Sequence, residues 1–305
     1  MATAVSQGGR PRRPTELICD WHADRTAVYR LRGATRAIRE AASPAVTDAF
    51  VLITELGGLS VLLVALSVLY WVGDRESTAT VIGYTLVALA VTLALKQWFT
   101  APRPPRSVQA VTERPDTAGF PSGHAISATV VYGGLVLARE RLRDARYVVG
   151  AGSVIGLVGL SRIVIGVHYV GDVLAGYAVG AAVLAGLWVT VRHRAGVACL
   201  VAAAVAVGTI PITAGTEYAL LGVGGSLGGA SALLRVTPGD LPKPDTATQA
   251  VALVAAGLAF VGVTYWLSEA VAVSLVAVAA SFALVAGVFM FPRVLATRPF
   301  ESLGA

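Results

Sequence analysis

Three polar clusters interrupt a largely apolar chain. The first runs Lys96-Gln-Trp-Phe-Thr-Ala-Pro-Arg103-Pro104, the second is Pro121-Ser122-Gly123-His124, and the third places Ser161-Arg162 ahead of His168 and Asp172. Lys96, Arg103 and Arg162 are fixed cations. Ser122 and the amide of Gly123 stand at the start of an apolar stretch, where backbone N–H groups and the helix dipole favour an anion. His124, His168 and Asp172 remain for proton and nucleophile chemistry. Three cations around one anion, with two histidines, read as phosphate-ester chemistry.

Written as patterns, the clusters are K-x6-R-P, P-S-G-H and S-R-x5-H-x3-D. Together they resemble the three-part signature of the type 2 phosphatidic acid phosphatase (PAP2) family, shared with glucose-6-phosphatase and the vanadium haloperoxidases. All three parts are present in order, and together they are far more specific than P-S-G-H alone. The resemblance covers roughly residues 50–190. It implies a metal-independent phosphatase that works through a phosphohistidine and needs no cofactor. No Asp/Glu/His cluster in the sequence has the look of a metal site.

On that reading His168 is the nucleophile. Asp172 is four residues on, so on one helix both share a face. Asp172 would then accept the proton of one ring nitrogen and leave the other free to attack phosphorus. His124 would protonate the leaving oxygen. Lys96, Arg103 and Arg162, with Ser122 and Gly123, would hold the phosphoryl oxygens, arginine by its planar fork. For Lys96 and Arg103, spacing alone also allows snorkelling to a membrane surface. His22 and His193 read as plain interfacial residues.

Composition says what carries these groups. Of 305 residues, 55% are hydrophobic and 14% charged, against about 25% charged in soluble domains. The mean hydropathy is +0.71. The apolar residues fall in runs near the length of a membrane-spanning helix. The net charge of +6 lies in short arginine clusters between those runs, which fits anionic headgroups and excludes nucleic acid as a partner. Cys19 and Cys199 are too few and too far apart for a disulfide framework or a zinc site. Met1 to Arg13 has no apolar core after its charges, so a cleavable signal peptide is not expected.

The predicted fold is all-α: a polytopic membrane helix bundle with a PAP2-like five-helix catalytic core. Residues 1–46 hold a polar tail and a basic amphipathic helix, Leu17–Ala41, in the headgroup layer. Residues 47–194 form the core, with spans Thr47–Val72, Ala79–Phe99, Ser122–Ala138, Tyr147–Leu160 and His168–Val191. Ser122 is the expected N-cap of the third. Glu55, a carboxylate within the first span, needs a site cation or the interface as partner. Residues 195–305 add four spans near 196–214, 218–236, 248–267 and 270–291, for about nine in all. In the second of these, Gly224-x3-Gly228 and Gly225-x3-Gly229 allow close packing onto the core or a homo-oligomer contact.

This layout gathers the three clusters on one membrane face. The other face carries Arg75, Arg139, Arg141, Arg143, Arg146, Arg192, Arg194, Arg235, Lys243, Arg293 and Arg298. That bias places the other face in the cytoplasm and the site outside the cell membrane; Arg25, Arg32, Arg36 and Arg39 disagree. The expected substrate is a phosphorylated lipid, as monoester or pyrophosphate. The alternatives are a small sugar phosphate, as for glucose-6-phosphatase, and a transporter built on the last four helices.

Overall fold

A computed structural model of the chain describes residues 30–111, 118–211, 217–270 and 274–296. The expected helix start at Leu17, with Cys19, His22 and Arg25, lies outside them, as do Glu113 to Asp116 and Arg298. All regular structure among the described residues is helical. The helices are α1 (Arg32–Ala41), α2 (Pro44–Thr54), α3 (Leu59–Val72), α4 (Arg75–Phe99), α5 (Gly123–Ala138), α6 (Ala145–Val164), α7 (Val170–Thr190), α8 (Ala195–Thr209), α9 (Glu217–Leu233), α10 (Ala247–Ala270) and α11 (Ser274–Met290).

Five of these, α4, α6, α7, α10 and α11, are long and apolar enough to cross a membrane, or six if α2 and α3 count as one broken span. Helices α5, α8 and α9 are apolar but shorter. Among the described residues each of the nine expected segments carries apolar helix, yet three fall short of full span length and the first is broken. At 1.5 Å per residue, a helix as short as α8 covers only about 22 Å of a hydrocarbon core about 30 Å thick.

The chain's local chemistry sets the ends. Ser43 caps α2 ahead of Pro44 at the first helical position, and Asp74 caps α4 through the Ser77 amide at 3.2 Å. Both are common N-terminal signals. Helix α4 stops at Thr100, whose left-handed backbone leads into Pro102 and Pro104, which cannot continue a helix. Between α6 and α7 the chain turns at Gly166, with φ of +76°. A Cβ there would strike the Val108 carbonyl and the Arg39 side chain, so only glycine serves.

The expected span Thr47–Val72 is broken in the structure. A 3-10 turn at Glu55–Gly57 and an extended Gly58 divide it, and the two halves meet at 52°. Gly57 is the reason: a Cβ would lie 2.5 Å from Val158 Cγ1 and 3.2 Å from the His124 carbonyl. The backbone at the bend is pressed between α5 and α6. Glu55 is exposed there, and its neighbour Thr54 is the one that reaches a site cation, as described below.

Helix α4 is the axis of the fold. Gly83 faces α8 so closely that a Cβ would sit 2.8 Å from Ala198 Cβ. Arg75, expected among the headgroup-facing charges, is buried instead. It donates to the carbonyls of Leu241 at 2.6 Å and Pro242 at 2.8 Å, and so ties down the loop before α10. Trp71 Nε1 donates to the Val288 carbonyl at 3.0 Å, and Tyr70 packs edge-on against Phe289. The glycine pairs of α9 pack inside the chain: Cβ atoms at Gly224 and Gly228 would meet the α11 backbone at Val278 and Phe282. Close approach of helices through small residues explains them.

Helix α1 is docked rather than free. Ile38 packs with Ile163 and Val173, and the Thr35 hydroxyl accepts from the Val170 amide at 3.0 Å. The chain reverses at Leu31, φ 53°, so the predicted continuous helix from Leu17 to Ala41 does not run through this point.

Candidate active site

All three polar clusters lie at one end of the bundle. Lys96 ends α4, Gly123 and His124 begin α5, Arg162 lies in the last turn of α6, and His168 and Asp172 flank the start of α7. A cavity of ≈ 380 Å³ is lined by Lys96, Arg103, Gly123, His124, Arg162 and His168 together. Six of the eight predicted site residues thus face one space. Asp172 and Ser122 stand behind it, fully buried.

The glycines of α7 explain how α5 reaches that position. Cβ atoms at Gly176 and Gly180 would fall 2.8 Å from the Ser122 carbonyl and from Thr129 Cβ. The two helices therefore touch backbone to backbone. The Ser122 amide donates to the Asp172 carbonyl at 3.0 Å, which joins the two helix starts. Ser122 occupies the N-cap position as expected, but its side chain makes no cap hydrogen bond. Its Oγ is buried without a hydrogen-bond partner among the described residues. A buried hydroxyl left so is costly, and a ligand oxygen is the kind of group that would satisfy it.

His168 departs from its expected setting. It precedes α7, whose N-cap is Tyr169, so His168 and Asp172 are not on one helix face. His168 Nδ1 lies 2.7 Å from the Gly119 carbonyl and 3.5 Å from Asp172 Oδ2. A carbonyl oxygen can only accept, so Nδ1 carries the proton and Nε2 the lone pair. The tautomer is the one anticipated; the acceptor that fixes it is a backbone carbonyl instead of the carboxylate. Nε2 in turn lies 3.2 Å from Arg103 Nη1. Burial pushes the His168 imidazole down to about 3 from 6.5; the Asp172 carboxylate opposes this, and Arg162, Arg103 and Lys96 add to it. The ring is therefore neutral near pH 7.

Asp172 is held by a residue the sequence did not single out. Arg30 donates Nε and Nη2 to the two carboxylate oxygens at 2.7 and 2.8 Å, and Nη1 to the Pro102 carbonyl at 2.7 Å. Its guanidinium stacks on the Tyr169 ring, 4.5 Å from the centroid. Asp172 also accepts from the Tyr169 amide at 2.9 Å, as an acid in the first helical turn does well. Arg30 was hidden in a run of arginines that reads as a headgroup-binding face. The other cations are also positioned: Arg162 Nη1 donates to Thr54 Oγ1 at 2.8 Å, and Lys96 Nζ to the Ala118 carbonyl at 3.1 Å. Among the described residues no group of His, Cys, Asp and Glu is arranged to hold a metal ion.

The space can thus accept an anion between three cations, with the lone pair of one imidazole and a second imidazole at its edge. Residues 77–195 match the family model of the PAP2 superfamily. Among solved structures, a transmembrane PAP2-type phosphatidylglycerolphosphate phosphatase from Bacillus subtilis is similar. It is 24% identical, with 55% of this chain and 87% of that chain covered and a TM-score of 0.47. No match is found among curated proteins.

Proposed function

With a PAP2-superfamily segment at residues 77–195 as premise, we propose that this multi-pass membrane phosphatase hydrolyses a lipid phosphomonoester or pyrophosphate through a phosphohistidine. The observation that carries the reading is the single cavity bounded by Lys96, Arg103, Arg162, His124 and His168. The three cations and the Gly123 amide, backed by Ser122, hold the phosphoryl oxygens and stabilise the charge that spreads over them in the transition state.

His168 Nε2 attacks phosphorus. An N–P bond forms as the ester P–O bond breaks, and His124 gives the leaving oxygen its proton. His124 then takes a proton from water, whose oxygen attacks phosphorus and breaks the N–P bond, releasing phosphate. Arg103 moves from Nε2 to a phosphoryl oxygen when substrate enters. Asp172, set by Arg30 and the Tyr169 amide, steadies the imidazole and the cation it becomes. Arg30 acts through Asp172 and is a positioning residue.

The site end is assigned to the outer face of the cell membrane. Arg141, Arg143, Arg146, Arg192, Arg194, Arg235, Lys243 and Arg293 are exposed towards the opposite end and supply the inside signal. Helix α1, with Arg32, Arg36 and Arg39, lies at the site end and counts against it. The reaction is tested by phosphate release from purified protein across lipid phosphates, isoprenoid pyrophosphates and sugar phosphates. Release from sugar phosphates alone would replace the lipid reading, and release from none would end it.

A further inference from the structure

The cavity under the cations does not stop at the size of a phosphate. Its wall on α4 is Thr85, Ala88, Leu89, Thr92, Leu93 and Lys96, residues three and four apart that form one helix face. From Lys96 to Thr85 this face descends roughly 16 Å into the bundle. Its two threonines do not make it polar. Thr85 Oγ1 donates to the Val81 carbonyl and Thr92 Oγ1 to the Ala88 carbonyl, both at 2.7 Å. Their hydroxyls are satisfied by their own helix, and the Thr92 methyl stands 3.3 Å from where a Gly123 Cβ would be.

The opposite wall comes from outside the family segment. Tyr265 of α10 lines the cavity beside Leu59 of α3, with its hydroxyl 3.4 Å from Ser60 Oγ. A second, smaller cavity of ≈ 60 Å³ lies next to the first, with Leu59 and Thr85 lining both, and is set between α3, α4 and α11 against Leu66, Ser67, Ile82, Val285 and Val288. Cations thus sit at one end of a path whose remainder is mostly apolar, the buried Ser67 hydroxyl, without a hydrogen-bond partner among the described residues, being the exception in the second cavity.

We infer that this path is a subsite for the hydrocarbon chain of the substrate, and that α10 and α11 set which chain lengths it takes. The inference rests on the phosphatase reading and deepens it. The occupant is the chain bonded to the phosphate, because the groove is continuous with the space where the phosphate sits. A chain placed there leaves water for an apolar wall, and each further methylene buried adds to binding until the groove is full.

The test is chain-length preference. Wild-type protein in phosphatidylcholine nanodiscs is given butyl phosphate and dodecyl phosphate, and the ratio of the two kcat/KM values is measured. Leu59→Trp narrows the junction of the two cavities at a half-exposed position. Thr85→Leu narrows it from the α4 side and stands in if the first variant fails to fold. In either, the dodecyl-to-butyl ratio falls roughly tenfold, the transfer free energy of about two methylenes. Tyr265→Ala removes part of the wall and lowers the ratio as well. Val251→Trp, on the exposed side of α10, leaves it as in wild type. A ratio unchanged in the groove variants assigns the groove to a bystander membrane lipid and overturns the proposal. So does a wild-type enzyme that cleaves both esters equally well. If the wild type cleaves neither, the phosphatase reading itself has failed.

Discussion

The contact between Arg30 and Asp172 gives the sharpest test of how the site is tuned. In Arg30→Ala the carboxylate keeps the Tyr169 amide at 2.9 Å and its distance of 3.5 Å to His168, but loses two charge-assisted hydrogen bonds. Leaving one member of a buried pair alone costs about 3–5 kcal/mol. Its negative charge is then no longer neutralised beside the imidazole. The guanidinium lies beyond the carboxylate, roughly 6 Å from the ring, and at an effective dielectric of 20 removing that cation is worth ~3 kcal/mol. This favours the protonated ring by about two pK units. His168, pushed down to about 3 in the intact site, is needed neutral for attack. The acid limb of kcat/KM in wild type therefore lies below about pH 5 and moves up in Arg30→Ala by about two units. Arg30→Lys keeps the charge but not the fork, so its limb stays near wild type while its rate falls. The assay is kcat/KM against pH, on protein checked for folding at each pH. A wild-type limb at 6.5, or an Arg30→Ala limb that does not move, would refute the reasoning.

Three further outcomes follow from the same geometry. His168→Ala abolishes turnover and trapped acid-labile phosphate, whereas His124→Ala loses about 10²–10⁴ in rate on an alkyl phosphate and much less on a nitrophenyl phosphate, which needs no proton; equal losses would leave His124 as a ligand or cap. Activity persists in EDTA, and millimolar vanadate inhibits by taking the shape of the transition state; a Mg²⁺ requirement or indifference to vanadate speaks against the mechanism. A cysteine at Ser107 reacts with an impermeant thiol reagent on intact cells and one at Asp144 does not; the reverse pattern puts the site inside.

Much of this molecule was legible in the sequence because membrane helices announce themselves by length and composition, and because each polar cluster stands at a helix end. Lys96, His124, Arg162 and His168 needed only that much to be placed at one end of the bundle. What escaped is what depends on contacts between segments far apart. Nothing in the order Glu-Leu-Gly-Gly shows that Gly57 is squeezed between Val158 and His124, yet that produces the bend. The i, i+4 spacing of His168 and Asp172 was read as a helix face, but α7 starts after His168, and a carbonyl from the loop before α5 accepts the hydrogen bond of the ring N–H. Arg30 resembles its neighbours in sequence and differs from them only by where it points. Gly176-x3-Gly180 did carry a signal, the same small-residue spacing noted in α9, and reading it would have predicted the approach of α5 to α7.

Arg75 and Trp71 bear on how the chain could be divided. The family match ends at residue 195, and a gene cut there would look like removal of an accessory module. It would instead strip acceptors from two buried donors, since the Trp71 indole relies on Val288 and the Arg75 guanidinium on Leu241 and Pro242. Gly83 would face lipid where it now touches Ala198. The last four helices serve the catalytic half as the other side of a party wall: neither house stands if the wall is assigned to one of them. Transplanting residues 77–195 into another scaffold requires a replacement for that surface, and chimaeras within this protein are better joined in the loop between α9 and α10 together with its Arg75 anchor than at residue 195.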